Sequence, residues 1–312
     1  MLCTTTQWSQ PLTALTIPDV QHKYLFKLSP PVAPILPHHH RGRPACVNDA
    51  TGPLQRATDI ASAIKEEEKS TLQVGLLPES MPKHVGVIID GHRRWSRSNG
   101  VPMETGYEIG FGKIGMLMQL CIKFGVKVLT TFILSTNSCK RPQVEVETML
   151  NNFDKILKQE METFVRDNIR VTIIGDTSRL SDSLQQLIVH TEETTKNNNG
   201  LHVMFAVNYS GQYDIVQACK RVAVKVKDGL VDPKDIDESL MNQEMETRCT
   251  QFSDLDLLIR PGKEQRVSGF FLWQLSYTEL YFPQIHGPDF GEADFVEALR
   301  YFQARERRFG SV

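Results

Sequence analysis

The sequence predicts an α/β fold in which a mainly parallel central sheet is flanked by helices. Three observations predict it. From residue 81 onward, short apolar runs alternate with amphipathic stretches. The first of them, "HVGVII" (84–89), is a short apolar run bounded by a turn, as expected of a strand covered on both faces. No internal repeat breaks the alternation. Such a pattern requires crossover connections, which place helices outside parallel strands.

Each element follows in order. "HVGVII" (84–89) is the first strand, stopped by the turn pair Asp90-Gly91. A helical pattern over 106–124 includes "IGMLMQLCIKF". "VKVLTTFIL" (126–134) is the second strand, and the long amphipathic stretch 144–165 is a helix. "RVTIIG" (170–175) is the third strand. A helix over 182–196 stops at "NNNG". "LHVMFAVN" (201–208) is the fourth strand, and Ser210 caps a helix over 212–227. A polar helix over 233–245 precedes the fifth strand, "LDLLIR" (255–260). "FFLWQLSYTELYF" (270–282) fits neither period cleanly, and 292–308 is the last helix.

A chain of 312 residues can bury a sizeable core. Its formal net charge of −2 gives no global basic field, so nucleic acid is not an expected partner and any anion binding is local. Cys3, Cys46, Cys121, Cys139, Cys219 and Cys249 form no CxxC pair, which predicts reduced thiols rather than a disulfide framework or a zinc site. No apolar run is long enough to predict a membrane span. Residues 1–45 carry Lys23, Lys27, Arg41 and Arg43 against one acid, Asp19, and are rich in Ser, Thr and Pro. An acid-poor, hydroxyl-rich leader reads as an organellar transit peptide, plastid rather than mitochondrial, which places the mature protein in the stroma. "AIKEEEKSTL" (63–72) reads as a short helix on a solvated linker. Residues 1–75 are therefore leader and linker, and 76–312 the folded domain.

In parallel sheets ligands bind beyond the carboxyl ends of the strands. The first strand ends in Asp90-Gly91-His92-Arg93-Arg94. The second ends in Ser135-Thr136-Asn137-Ser138, then Lys140-Arg141. The fourth ends in Asn208-Tyr209-Ser210-Gly211, and the fifth in Arg260-Pro261-Gly262-Lys263-Glu264-Gln265-Arg266-Val267-Ser268. The planar fork of arginine suits phosphate oxygens, and a helix N-terminus adds its dipole. Among these cations Asp90 either holds Mg²⁺ bridging a diphosphate, or simply caps the next helix or pairs with Arg94. Neither GxxxxGK[ST] nor GxGxxG occurs, so a P-loop and a dinucleotide site are excluded. Trp95, Trp273, His190 and His202 read as structural residues. His38, His39 and His40 form a tract in the leader.

Together these segments resemble the cis-prenyltransferases, the undecaprenyl diphosphate synthase-like enzymes. The resemblance spans about residues 81–310 and rests on "IDGHRRW", "LSTNSCKRP", "IIGD", "NYSG", "RPGKEQRVSGF", "LWQLSYTELYF" and "RERRFG". It implies that fold, a homodimer and Mg²⁺. It places the allylic diphosphate at Gly91, His92, Arg93 and Arg94, with Asp90 holding the metal and Arg141 supporting the loop. A second diphosphate falls to Arg260, Arg266 and Ser268. Glu279 joins the metal site from the neighbouring subunit, and the tail Arg308-Phe309-Gly310 crosses to the partner.

Departures refine the expectation. The family's Asn after Asp-Gly is His92, its next Gly is Arg93, and the His of its following Gly-His is Tyr107. "DGHRRW" with Gly106-Tyr107 resembles the plastid short-chain branch of plants. The family's Glu, Asn and Trp of "STENW" are Asn137, Ser138 and Cys139, and Gly269, Pro261 and Lys263 also differ. That Asn is associated with removing the proton from isopentenyl diphosphate. Its loss favours irregular joining of two dimethylallyl diphosphates to lavandulyl diphosphate. The alternative is head-to-tail joining of dimethylallyl and isopentenyl diphosphates to neryl diphosphate, with Asn137 or Ser138 standing in. A reading from another class is a non-catalytic partner subunit, which the presence of Asp90, Arg94, Arg260, Arg266, Ser268 and Glu279 disfavours. An apolar tunnel narrowed by Met116, Leu120, Phe124, Met149, Leu150 and Phe153 would set product length.

Overall fold

The computed structural model describes residues 75–310. The leader and linker reading, including the helix suggested at 63–72, falls on residues outside that range, Gly75 apart. Within it six parallel strands form one sheet in the order β3-β4-β2-β1-β5-β6. They are β1 (His84–Val87), β2 (Val128–Phe132), β3 (Arg170–Ile174), β4 (His202–Ala206), β5 (Leu257–Ile259) and β6 (Glu279–Tyr281).

Alternate residues of each strand enter opposite apolar layers. Val85, Val87, Leu129, Val203 and Phe205 face one layer with Phe111, Ile114 and Phe153. Val128, Met204, Ala206 and Leu258 face the other, beside Phe270 and Phe271. Both faces are covered, which is why the runs are mostly apolar rather than alternating.

The helices are α1 (His92–Asn99), α2 (Met103–Lys123), α3 (Gln143–Gln159), α4 (Met161–Arg166), α5 (Asp182–Thr195), α6 (Gly211–Lys227), α7 (Glu238–Glu244) and α8 (Glu292–Gln303). Several depart from expectation. The stretch 144–165 is two helices meeting at Glu160, so amphipathic periodicity continued across a break. Only Glu238–Glu244 of 233–245 is α-helical, capped by Asp237 accepting from the Leu240 amide, while Pro233–Asp235 forms a 3₁₀ turn. The last helix stops at Gln303, and the stretch 270–282 supplies β6. A helix was expected to follow the Asp90 loop, but no range was read for it, and α1 is that helix. It starts because Gly91 takes φ 90° and turns the chain directly out of β1. Its first turn therefore carries the cationic cluster.

The two sheet edges differ. Along β3, the Val171 amide donates to Thr195 Oγ1 at 3.1 Å and the Ile173 amide to Glu192 Oε1 at 2.8 Å, so α5 covers that edge. Beside β6, Tyr277, Leu280 and Phe309 remain exposed. The tail folds along its own chain here: Arg305 pairs with Glu279 at 3.1 Å, and the Phe309 ring lies 5.5 Å from that of Tyr277. No described helix is long and apolar enough to cross a membrane.

Candidate active site

Because all strands run the same way, their carboxyl ends share one side of the sheet. There a cavity of about 670 Å³ opens over β1, β2 and β5. The residues anticipated at strand ends meet in it: Asp90, Gly91, His92, Arg93 and Arg94 from the first loop, Asn137, Ser138 and Arg141 from the second, and Arg260, Arg266 and Ser268 from the third. The walls turn apolar inward through Phe111, Ile114, Ile133, Leu134 and Met149.

Asp90 lies at the centre of the polar part. Its Oδ2 accepts from Arg260 at 2.8 Å, and its Oδ1 accepts from the Gly91 amide at 2.6 Å. Burial pushes this carboxyl up, but Arg260, the Gly91 amide and Arg94 outweigh it and hold Asp90 below the usual carboxylate range. Arg260 is only 4% exposed and also donates to Ser268 Oγ at 2.7 Å and to the Arg266 carbonyl. The two loops approach closely because Gly262, at φ 118°, has no side chain: a Cβ there would sit 2.8 Å from the Asp90 Cβ. Arg94 crosses the gap, donating to the Gly262 carbonyl at 2.6 Å and pairing with Glu264. Glu264 pairs with Arg266 as well. Two guanidinium groups that line the cavity thus rest on one carboxylate.

The second loop is a 3₁₀ turn over Thr136–Lys140, capped by Ser135 Oγ and bridged to Tyr209 after β4. It buries Ser138 and leaves Asn137 exposed. Ser138 thus stands in the wall where the resemblance places an amide.

Two expectations are corrected, those for His92 and for the tunnel. The His92 side chain is buried, stacks on Tyr107 at 4.6 Å, and lies over Gly110, where any Cβ would meet its Nε2 at 2.2 Å. Burial lowers its pKa to about 4, so it offers a diphosphate no cation. Glu279 is not among the cavity residues: it opens β6 in register with Leu257, which pairs with Val85. That is the amino end of the sheet, while Asp90 follows the carboxyl end, so within one chain the two carboxylates stay apart. Of the residues proposed to narrow a tunnel, Met149 lines the cavity, whereas Leu120, Phe124 and Phe153 are closed into the core. Periodicity gives a buried face but not which part of it borders a void.

Reading by strand ends also missed Glu145. Its side chain, 2% exposed, accepts from Tyr107 Oη and Arg141, each at 2.6 Å, and from Arg93 at 3.2 Å. The only sequence signal was an acid four residues after Arg141, inside a helix pattern.

Among the described residues no three His, Cys, Asp or Glu side chains are grouped to hold a metal. A single ionised carboxylate in a cavity lined by guanidinium groups instead fits Mg²⁺, which commonly takes one or two carboxylates plus substrate phosphate oxygens.

Comparison with known proteins agrees with this geometry. A family model described as putative undecaprenyl diphosphate synthase matches residues 88–310. Cis-prenyltransferase 4, chloroplastic, from Solanum lycopersicum is 48% identical over 253 residues, 81% of this chain and 82% of that protein. A chloroplastic dehydrodolichyl diphosphate synthase of the same species is 49% identical over 249 residues, 80% of this chain and 79% of that one. The crystal structure of lavandulyl diphosphate synthase from Lavandula x intermedia, in complex with dimethylallyl diphosphate, matches with a TM-score of 0.73 at 40% identity, covering 75% of this chain and 100% of that one.

Proposed function

Given that the chain belongs to the undecaprenyl diphosphate synthase family of cis-prenyltransferases, we propose that it joins two dimethylallyl diphosphates into lavandulyl diphosphate and releases pyrophosphate. The family makes it a prenyl-transferring enzyme, and the finer statement is our reading. One observation carries it: a single cavity is cationic around Asp90 and apolar within, with Ser138 in its wall. That cavity suits short prenyl diphosphates, whose charged and apolar ends need both environments. The dimethylallyl diphosphate bound by the lavender enzyme supports the substrate.

In this reading the donor diphosphate lies against Arg93, Arg94, Gly91 and the first amides of α1, including that of His92. The acceptor diphosphate lies against Arg260, Arg266 and Ser268. Mg²⁺, held by Asp90 and diphosphate oxygens, would offset charge on the leaving group. Arginine donors fixed around that group stabilise it as charge develops. The donor C1–O bond breaks, and its electron pair leaves with pyrophosphate. The acceptor's double bond attacks C1 through C2, which leaves a cation at the acceptor's C3. A methyl proton is then lost, giving the isopropenyl branch. Asn137 and Ser138 flank this step, and neither is a base near neutral pH. The His92 nitrogen is a weak base turned toward Gly110. The proton therefore passes to a diphosphate oxygen.

Head-to-tail coupling with isopentenyl diphosphate is favoured by one feature: Asn137 is exposed beside Ser138 and presents an amide to the cavity. We further infer a homodimer, in which the uncovered β6 edge with Tyr277, Leu280 and Phe309 meets a second copy. Glu279 would then serve the partner's metal site. The names of the two tomato relatives support a plastid location. Purified protein supplied with Mg²⁺ and dimethylallyl diphosphate alone should make a branched ten-carbon diphosphate. Product that is linear, and forms only when isopentenyl diphosphate is added, would replace the proposal with neryl synthesis.

A further inference from the structure

Glu145 sits behind the cavity wall, at the third position of α3, one turn after Arg141. An acid there ordinarily complements the helix dipole or caps a backbone amide. This side chain is not used as a cap. No cap hydrogen bond forms at that helix start, and the carboxylate turns inward until 2% of it is exposed. Its oxygens instead collect three donors from three separate elements. Arg93 on α1 gives Nη1 to Oε2 at 3.2 Å. Tyr107 on α2 gives its hydroxyl proton to Oε1 at 2.6 Å. Arg141, which closes the Ser138 loop, gives Nη1 to Oε1, also at 2.6 Å.

Both arginines remain open to the cavity on their other side: their side chains are 59% and 44% exposed, and both line it. A guanidinium has five N–H donors in a rigid fork, and these contacts occupy only part of each. Fixing one nitrogen therefore sets the direction of the rest. The Tyr107 ring, stacked on His92, ties the carboxylate to the start of α1 as well. The first loop and the Ser138 loop are thus referenced to one buried anion.

We infer that Glu145 is a positioning residue: it aims Arg93 and Arg141 at substrate diphosphate and fixes the distance between the diphosphate loop and the Ser138 loop. This rests on the proposed function only in needing a diphosphate site, not in the product made. It competes with a simpler expectation. Glu145 cancels one of two nearby positive charges, so its neutralisation should tighten anion binding if charge alone matters. Aim predicts the reverse. In Glu145→Gln the amide keeps an acceptor for Arg141 and Tyr107 but turns N–H groups toward Arg93, which must swing away.

Titration with inorganic pyrophosphate and Mg²⁺ decides between these. Wild-type protein should bind, and Glu145→Gln should bind about tenfold more weakly while melting cooperatively. Arg93→Ala should weaken wild type several-fold and change Glu145→Gln little, since Arg93 is already released there; loss of packing alone would leave the two effects additive. Equal or tighter pyrophosphate binding by Glu145→Gln, or additivity with Arg93→Ala, overturns the inference. Should Glu145→Gln not fold, Tyr107→Phe removes one of the three donors and should weaken pyrophosphate in the same direction; unchanged affinity there overturns it too. No binding by wild type would instead remove the diphosphate site, and the proposed function with it.

Discussion

The sheet carries a carboxylate–guanidinium pair at each end. At the carboxyl end Asp90 meets Arg260 at 2.8 Å, and at the amino end Asp256 meets Arg307 at 2.8 Å. The pairs look alike in length and chemistry, but their surroundings separate them. Asp256 also accepts the Lys83 and His84 amides, at 2.8 and 3.1 Å, and so fastens the start of β1 to the start of β5. Arg307 lies over the Phe302 and Phe309 rings. Asp90 takes the amide of its own neighbour and faces a cavity. An ion pair whose carboxylate also takes amides from another strand's start holds a fold, whereas one left partly open to a void is available to a ligand.

The largest expected effect breaks the pair at the open end. Asp90→Ala should lower kcat/KM for dimethylallyl diphosphate by about a thousandfold, roughly 4 kcal/mol of barrier, in line with losing one charge-stabilising group. Its thermal midpoint should stay within a few degrees of wild type, since the Asp90 side chain accepts a backbone amide only from its neighbour Gly91 and the Gly287 amide bonds to the Asp90 carbonyl, which the substitution keeps. Steady-state kinetics beside a melting curve checks both, and near-normal turnover would show that the open pair is not the site.

Acid should act next, and at the closed end. His84 is fully buried, with Nδ1–H on the Phe252 carbonyl and Nε2 accepting from Thr130 Oγ1, both at 2.8 Å. Burial lowers its pKa to about 4, against the ordinary 6.5. Between those values the unfolded chain binds more protons than the folded one. This contribution is complete above pH 6.5 and is lost as pH falls toward 4, about 3 kcal/mol in all. His92 and His202, also lowered to about 4, add to the same decline. Asp90, already held below the usual range, keeps its charge through that window. His84→Gln should flatten the slope of unfolding free energy against pH by about 1.4 kcal/mol per unit. Denaturant titrations from pH 7 to pH 4 measure it.

Asp256→Ala is the matching cut at the closed end. It strips acceptors from the Lys83 and His84 amides and from one guanidinium, so a stability loss of about 2 kcal/mol is expected. The KM for dimethylallyl diphosphate should remain that of wild type. A variant that loses substrate affinity at unchanged stability would mean the two ends are coupled.

The contrast between the ends also marks what could be read from sequence. The open end was legible because short apolar runs stop at charged turns, so Asp90, Arg94 and Arg260 announced themselves where strands end. The order of the strands was not, since nothing local sets β1 between β2 and β5. Glu145 stayed hidden because its partners Arg93 and Tyr107 lie 52 and 38 positions away and meet it only through helix packing. His92 misled for the opposite reason: it sits among cations in sequence, yet the bare backbone at Gly110 lets it turn inward. β6 escaped because three residues of strand inside an aromatic stretch show no period.

The smallest effect on rate should come from Ser138→Asn, and it sharpens the comparison within the open end itself. In the proposed reaction the first loop handles the leaving diphosphate whatever the acceptor, so turnover with dimethylallyl diphosphate should change by only about twofold to fivefold, a barrier shift on the order of 0.5–1 kcal/mol. In the proposed reaction the wall at Ser138 borders the carbon that loses its proton. An amide there adds a donor and an acceptor and takes up space beside the branch point. When both five-carbon diphosphates are supplied, the share of linear ten-carbon product should rise at the expense of the branched one. The ratio of the two by mass spectrometry after phosphatase treatment is the measurement. A ratio unmoved by Ser138→Asn would place control of branching elsewhere in the wall, with the neighbouring Asn137 the first residue to exchange.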